Sequence, residues 1–377
     1  MTFICDFKDF TFHFSPFTLS LTLTIQKHMI FLVKKIFYAL LVLLGVVMLV
    51  FVMFQGFGDP ARLIVGQTGD KKTLENIRRD LHLDQPKWKQ FLFYINDVSP
   101  VALHSREEIA KKELSGFFIG KGERQLAIKW PYLGRSYQSK KTTTSVLAEA
   151  LPGTMVLAIT AMLFACVVGI FLGVLSAVYK NTWIDNTAIF SSIAGISAPS
   201  FFMAILIAYF FGIVLHDYTG LNLTGSLYEI DEVTGEKYLA LKNLVLPAFT
   251  LGIRPLAIIT QLTRSSMLDT LSQDYIRTAY AKGLSKSRVI FTHALRNALN
   301  PVITAITGWF AELLAGAFFI EYIFGWKGIG KVTVDALEKL DYPVVMGAVL
   351  FSAVIFIFIN ILADMLYRLI DPRIRLQ

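Results

Sequence analysis

The sequence predicts an all-α membrane protein: six transmembrane helices, a long extracytoplasmic loop after the first, and a polar helical loop on the cytoplasmic face between the fourth and fifth. Three observations carry this. Hydrophobic residues make up 54% of the 377 and charged ones only 17%, against about 45–50% and about 25% in soluble domains, so lipid must face much of the chain. Six stretches reach the roughly 20 apolar residues that a helix needs to cross a hydrocarbon core of about 30 Å. Between the fourth and fifth, residues 273–300 read QDYIRTAYAKGLSKSRVIFTHALRNALN, too polar and basic to lie in hydrocarbon.

Residues 1–28 fit neither a span nor a signal peptide, because a basic start and a small-residue cleavage site are lacking. Met29, followed by Ile-Phe-Leu-Val-Lys-Lys, is a more natural start, so 1–28 are expected to be a non-native extension. Residues 29–55 are assigned to the first transmembrane helix, with its span at 36–54, and 56–145 to the extracytoplasmic loop region. Residues 146–377 form a five-helix core with spans at 154–179, 187–215, 244–267, 302–323 and 344–367. Pro199 and Pro255 should kink the third and fourth helices, which is tolerable where neighbours re-satisfy the freed carbonyls. Asn300-Pro301 offers a capping side chain followed by proline at the first helical position, so the fifth span is expected to begin there.

Orientation follows from Lys and Arg in the short connections. With the N-terminus inside, Lys34, Lys35, Lys180, Arg264, the basic residues of 273–300 and Arg368 all fall inside. The short outer loops then carry only Lys237, Lys242, Lys327, Lys331 and Lys339. Both termini are therefore expected in the cytoplasm. The net charge of +8 sits largely beside apolar runs, as membrane anchors do, so no nucleic-acid partner is expected. Cys5 and Cys166 form neither a disulfide framework nor a metal site, and no two histidines have ligand spacing.

Within 273–300 the residues read as two short helices around Gly283, with Ser285 placed to cap the second from about Lys286. Tyr275, Ala279 and Leu284 offer an apolar contact surface, ringed by Arg277, Lys282, Lys286 and Arg288. On composition alone, a basic interfacial helix lying against anionic headgroups fits equally well. Gly325-Trp326-Lys327-Gly328-Ile329-Gly330-Lys331 nearly spells a phosphate-binding loop. Val332 stands where a hydroxyl should hold magnesium, and no strand precedes it, so a tight outer turn is the better reading. Glu312 lies eleven residues past Pro301, about 16 Å along a helix. It either lines a path through the bundle or pairs with Arg254. No convergent set for hydrolysis stands out, so no catalytic role is expected.

From Lys34 to Arg375 the chain carries an ordered series of short motifs. They are Gly58-Asp59-Pro60-Ala61, Leu83-Asp84-Gln85-Pro86, Leu133-Gly134-Arg135-Ser136 and Leu151-Pro152-Gly153-Thr154; then Arg264-Ser265-Ser266-Met267-Leu268, Asp274-Tyr275-Ile276-Arg277-Thr278-Ala279 and Ala281-Lys282-Gly283-Leu284; then His293-Ala294-Leu295-Arg296-Asn297-Ala298-Leu299, Asp341-Tyr342-Pro343-Val344-Val345 and Asp371-Pro372-Arg373-Ile374-Arg375. In that order and on that topology the chain resembles the membrane-spanning permease subunit of bacterial ABC importers for dipeptides, oligopeptides and nickel.

The resemblance implies several things. The loop around Gly283, with Tyr275, Arg277, Thr278, Ala279, Lys282, Leu284, Ser285 and Arg288, would dock into a partner ATPase and drive alternating access. Two such ATPases, which use ATP and magnesium, a second related permease subunit and an extracytoplasmic binding protein would complete the assembly in a bacterial cytoplasmic membrane. No cofactor would be bound by this chain. The implied cargo is a di- or oligopeptide, with nickel or another small solute as the alternative and an ion-driven secondary transporter as the rival class. Two departures stand out: an insertion at 98–131, expected to be a small elaboration facing the binding protein, and Glu312 where the family is small and apolar.

Overall fold

A computed structural model describes the backbone of residues 16–56, 61, 70–80, 82–120, 122–231, 234–315 and 317–370. Gly58-Asp59-Pro60 and the closing motif from Asp371 lie outside them, as do residues 1–15 of the expected extension. The chain divides into two units, Met1–Val46 and Val47–Gln377. Helix α1 (Pro16–Gly56) starts well ahead of the expected 29–55 and runs from the first unit into the second. In the first unit its apolar side chains from Val33 onward are mostly exposed, as lipid-facing residues are.

After the end of α1, the second unit carries α2 (Lys71–Asp80) and α3 (Lys87–Val98). A strand–helix–strand–strand segment follows: β1 (Val101–Ser105), α4 (Arg106–Lys112), β2 (Gly116–Ile119) and β3 (Arg124–Lys129). The strands pair antiparallel in the order β1-β3-β2, with Val101 and Phe117 both opposite Ile128. Alternation then puts Ala102, His104, Ala127 and Lys129 on a buried face and Val101, Leu103, Phe117, Ile119, Leu126 and Ile128 on an exposed one. A second hairpin joins β4 (Tyr228–Ile230) to β5 (Lys237–Leu239). The all-α expectation is thus corrected: the chain is mostly helical, but the insertion at 98–131 carries strands, of which β1 and β3 alternate buried and exposed positions with period two, and folds as sheet.

Among the described residues, five helices are long and apolar enough to cross a membrane: Val33–Met53 within α1, α5 (Thr143–Val178), α9 (Lys242–Leu271), α11 (Lys286–Ala315) and Tyr342–Met365 within α14 (Tyr342–Ile370). A sixth crossing exists only if a bent pair is one span. Helix α6 (Trp183–Ser197) and the segment Ser200–Val214, which begins with α7 (Ser200–Tyr209) and is followed by the short α8 (His216–Thr219), meet at 108°. Where the sequence predicts a kink at Pro199, the structure has a break. Proline pushes its predecessor out of the helical region, and Ala198 is extended at φ −74°, ψ 132°.

Two starts also differ from expectation. Helix α5 begins at Thr143 rather than 154, with the Thr142 hydroxyl accepting from Ser145 N at 3.4 Å. Helix α11 begins at Lys286 and continues through Pro301, so Asn300-Pro301 is no helix start. Hydropathy marks where lipid begins, and both helices extend beyond that point into polar sequence. At its other end α11 stops at Ala315, and the residues expected to finish its span form the separate short helix α12 (Phe318–Ile323). Between α12 and α14 lies α13 (Ile329–Glu338).

Helices α5 and α9 form the centre. A Cβ added to Gly173 would sit 2.5 Å from Thr263 Cβ and 2.7 Å from Thr260 O, and one on Gly252 would sit 2.8 Å from Ala161 O. Small residues let two backbones approach this closely, the usual way helices associate in lipid.

Candidate functional site

The polar loop folds onto one end of this bundle. After α9 ends, α10 (Asp274–Ala281) forms a two-turn helix closed by Lys282, and Gly283 then takes φ +77°. That left-handed value is one glycine adopts readily; there is room for a side chain, since nothing lies within 4 Å of an added Cβ. Ser285 is extended at φ −62°, ψ 148° and precedes Lys286, as an N-cap should, but its hydroxyl makes no capping bond. The second helix is not short: it is the start of α11, with a widened π-type turn at Val289–Ala294.

Ile276 and Ala279 are buried against Val174, Ala177, Met267, Val289, Ile290, Ala294 and Ala298. Ala279 therefore anchors the loop to the bundle, and the expectation that it forms an outward contact surface is corrected. Ile276 is absent from the predicted contact set, although its spacing of three from Ala279 marks one helical face. The face left open carries Tyr275, Arg277, Thr278, Tyr280, Lys282, Ser285, Lys286 and Arg288, with Leu284 half-buried. Tyr275 Oη accepts from Asn297 Nδ2 at 2.8 Å, tying α10 to α11. Arg277 reaches Asp274 at 3.5 Å, both highly exposed.

Beside this loop lies a network that the sequence does not announce. The Asp185 carboxylate, only 1% exposed, accepts from Arg264 Nε at 2.6 Å and Nη2 at 2.8 Å, from Ser176 Oγ at 2.5 Å and from Asn181 N at 2.9 Å. It joins the start of α6 to α5 and to the last two turns of α9, from which the loop departs. Nothing in the spacing of residues 79 apart signals such a pair.

The ordered motifs meet one another in space. Asp341 accepts from Ser136 Oγ at 2.5 Å and Tyr137 N at 2.9 Å, which brings Leu133-Gly134-Arg135-Ser136 to the start of α14. Thr154 Oγ1 donates to the buried Glu321 carboxylate at 2.8 Å and accepts from Ile329 N at 2.8 Å. Lys331 N donates to Glu321 at 3.2 Å, and a Cβ on Gly328 would fall within the carboxylate. The phosphate-loop-like glycines thus wrap an internal carboxyl group at the start of α13. Gly153 is glycine because Lys327 O occupies the space of its Cβ, and Trp326 Nε1 donates to Gly153 O at 2.9 Å.

Glu312 opens into a cavity of about 170 Å³ at the corner made by Pro199, lined also by Ser200, Met203, Thr250, Arg254, Trp309 and Phe318. The Arg254 guanidinium lies over the Trp309 ring, 5.5 Å from its centroid. Among the described residues no ion pair joins Arg254 to Glu312, so the expected alternative of pairing is not what the structure adopts.

Comparison with known proteins gives two family matches. Residues 169–376 match the binding-protein-dependent transport system inner membrane component, and residues 28–107 match the N-terminal part of the same class of membrane component. The dipeptide transport system permease protein DppB of Escherichia coli strain K12 is 34% identical over 363 residues, covering 92% of this chain and 98% of that relative. The glutathione transport system permease protein GsiC of Escherichia coli O1:K1 is 34% identical over 318 residues, covering 84% and 89%. A solved inward-facing MetNI methionine ABC transporter chain is 17% identical, with a TM-score of 0.47 over 60% of this chain and 97% of its own.

Proposed function

The chain belongs to the family of binding-protein-dependent transport system inner membrane components, and from that premise we propose that it is the permease subunit of an ATP-driven importer of di- and oligopeptides. It forms half of a translocation path with a second, related permease. The permease names of the dipeptide and glutathione relatives support a short peptide as cargo. Two ATPases bind and hydrolyse ATP with magnesium, and a binding protein delivers the cargo.

One observation carries the mechanism: a helix–Gly283–helix loop whose inner face is buried in the bundle while its outer face is basic and open. On this reading Tyr275, Arg277, Thr278, Lys282, Gly283, Leu284, Ser285 and Arg288 meet the ATPase. Ile276 and Ala279 pass its movement inward, and the Asp185–Arg264 clamp carries it to α5, α6 and α9. The bent pair counts as one of six spans, with both termini and the loop in the cytoplasm. The sheet at 98–131 is then extracytoplasmic, and its exposed apolar face is the surface offered to the binding protein. Glu312 faces the path.

The test is uptake of a radiolabelled dipeptide into vesicles holding the chain with its partner subunits. Orthovanadate, which stops the ATPases, should abolish uptake. Uptake that survives orthovanadate and collapses with the ion gradient refutes the reading.

A further inference from the structure

The cavity at the Pro199 corner holds opposite charges that do not neutralise each other. Arg254, on α9, lays its guanidinium on the Trp309 ring at 5.5 Å, and Glu312 stands three residues beyond Trp309 on the same wall. Residues three apart on a helix have Cβ atoms about 5–6 Å from each other, so the ring that carries the cation and the carboxylate share one face of α11, and both charges line one cavity. The aromatic face holds the cation by its quadrupole.

Left alone, this arrangement is unfavourable. Ionisable groups within membrane spans are costly and normally pair. Glu312 also sits in the last turn of α11, which ends at Ala315, where the helix dipole disfavours a negative charge. Both groups are exposed to the cavity, and among the described residues no cation meets Glu312 and no carboxylate meets Arg254. A ligand carrying a positive and a negative group would remove both penalties together.

We propose that this cavity is a recognition station for short zwitterionic peptides, in which Glu312 takes the free α-ammonium group, Arg254 the terminal carboxylate, and Trp309 the apolar body between them. The proposal rests on the reading of the chain as a peptide permease. A dipeptide's charged ends lie at most about 7 Å apart, one Cα–Cα step plus a bond at each end, a span suited to two side chains that line one cavity from α9 and α11. Longer peptides place one end beyond that reach, so the station favours the shortest cargo.

The test uses the complete permease–ATPase assembly in nanodiscs without its binding protein, which removes that protein's own selectivity. Equilibrium binding is measured for a dipeptide, its N-acetyl derivative and its C-terminal amide. The unmodified chain should bind the free dipeptide at least about tenfold more tightly than either derivative. Glu312→Gln should erase the preference over the N-acetyl form, and Arg254→Gln the preference over the amide. Equal affinity for the three ligands, no saturable binding, or variants that weaken all three alike each overturn the proposal, and the ligand series needs no variant to do so. Orthovanadate-sensitive peptide uptake alongside equal affinities removes this station alone; orthovanadate-insensitive uptake removes the importer reading itself.

Discussion

Replacing Arg264 with glutamine isolates the energetic weight of the clamp beside the loop. Asp185 is only 1% exposed and receives four hydrogen bonds, two of them from the Arg264 fork at 2.6 and 2.8 Å. The shorter, neutral amide of Arg264→Gln restores neither the fork nor its charge, which leaves a buried carboxylate with only the Ser176 hydroxyl and Asn181 N–H. Removing one partner of a buried ion pair costs about 3–5 kcal/mol, chiefly because the stranded charge stays desolvated. Neutral hydrogen bonds between membrane helices average only about 0.6 kcal/mol, so the two magnitudes are separable. Arg264→Lys keeps the charge but loses the two-pronged geometry and should fall between them. The double variant Asp185→Leu with Arg264→Met removes the stranded charge and should recover most of the loss. The assay is thermal and denaturant unfolding of the purified chain in detergent, read as a double-mutant cycle. A coupling below about 1 kcal/mol would mean that the clamp is no more than an ordinary interhelical contact.

The other predictions concern single positions. Gly283→Ala meets no steric obstacle but must hold φ +77°, which costs roughly 1–2 kcal/mol; Gly283→Asn, which tolerates that region better, should keep more orthovanadate-sensitive uptake, and equal uptake by both would remove the torsional argument. Gly173→Val drives a side chain into Thr263 and Thr260 O and should abolish stable insertion, whereas Gly235→Ala, with open space around it but φ +69°, should cost only the torsional strain; expression and detergent melting compare them. Gly328→Ala places its methyl within the Glu321 carboxylate and should destabilise by several kcal/mol through a stranded buried acid, visible as a lowered melting temperature. Burial holds Lys129 down to about 8, below the ordinary lysine value of about 10.4. The unfolded chain then binds more protons between those values, so the stability of the 98–131 sheet should rise as pH climbs from about 8 to about 10.4. Emission from Trp88 and Trp130 during unfolding measures this, and a flat or falling profile, or one unchanged by Lys129→Met, contradicts it.

What the sequence can reveal divides along a physical line. Apolar runs locate lipid, so the 36–54 and 344–367 stretches fall inside helices that contain them whole. Hydropathy is blind to helix that continues past the lipid, which is why it does not mark Thr143 and Lys286 as starts. Proline is ambiguous on its own: Pro255 and Pro301 are absorbed within helices while Pro199 breaks one, and neighbouring packing decides. In the loop, the turn at Gly283 and the helix start at Lys286 are legible because turn chemistry is local. The inward turn of Ala279 is not, since which face of a short helix is buried depends on what it lies against. Asp185 draws no notice in the sequence and meets Arg264 only because α6 folds back along α9. Glu321 is held by the Thr154 hydroxyl from α5 and by the Lys331 N–H in the first turn of α13.

The glycine seam between α5 and α9 limits where this molecule can bend. Sliding one helix past the other by a single turn would leave a glycine at one of the two sites but bring Ala165 against the Leu256 carbonyl, or Ala177 against Thr263, where Gly169 or Gly173 now stands. The two must therefore travel as a single rod, with their contact surface excluded as a gear plane. On the proposed reading, displacement applied at Gly283 has to emerge elsewhere, and the elbow at Ala198-Pro199 is a joint already free of continuous helix. Arg254 and Glu312 line the cavity at that elbow, so bending there would change the shape of the chamber between them.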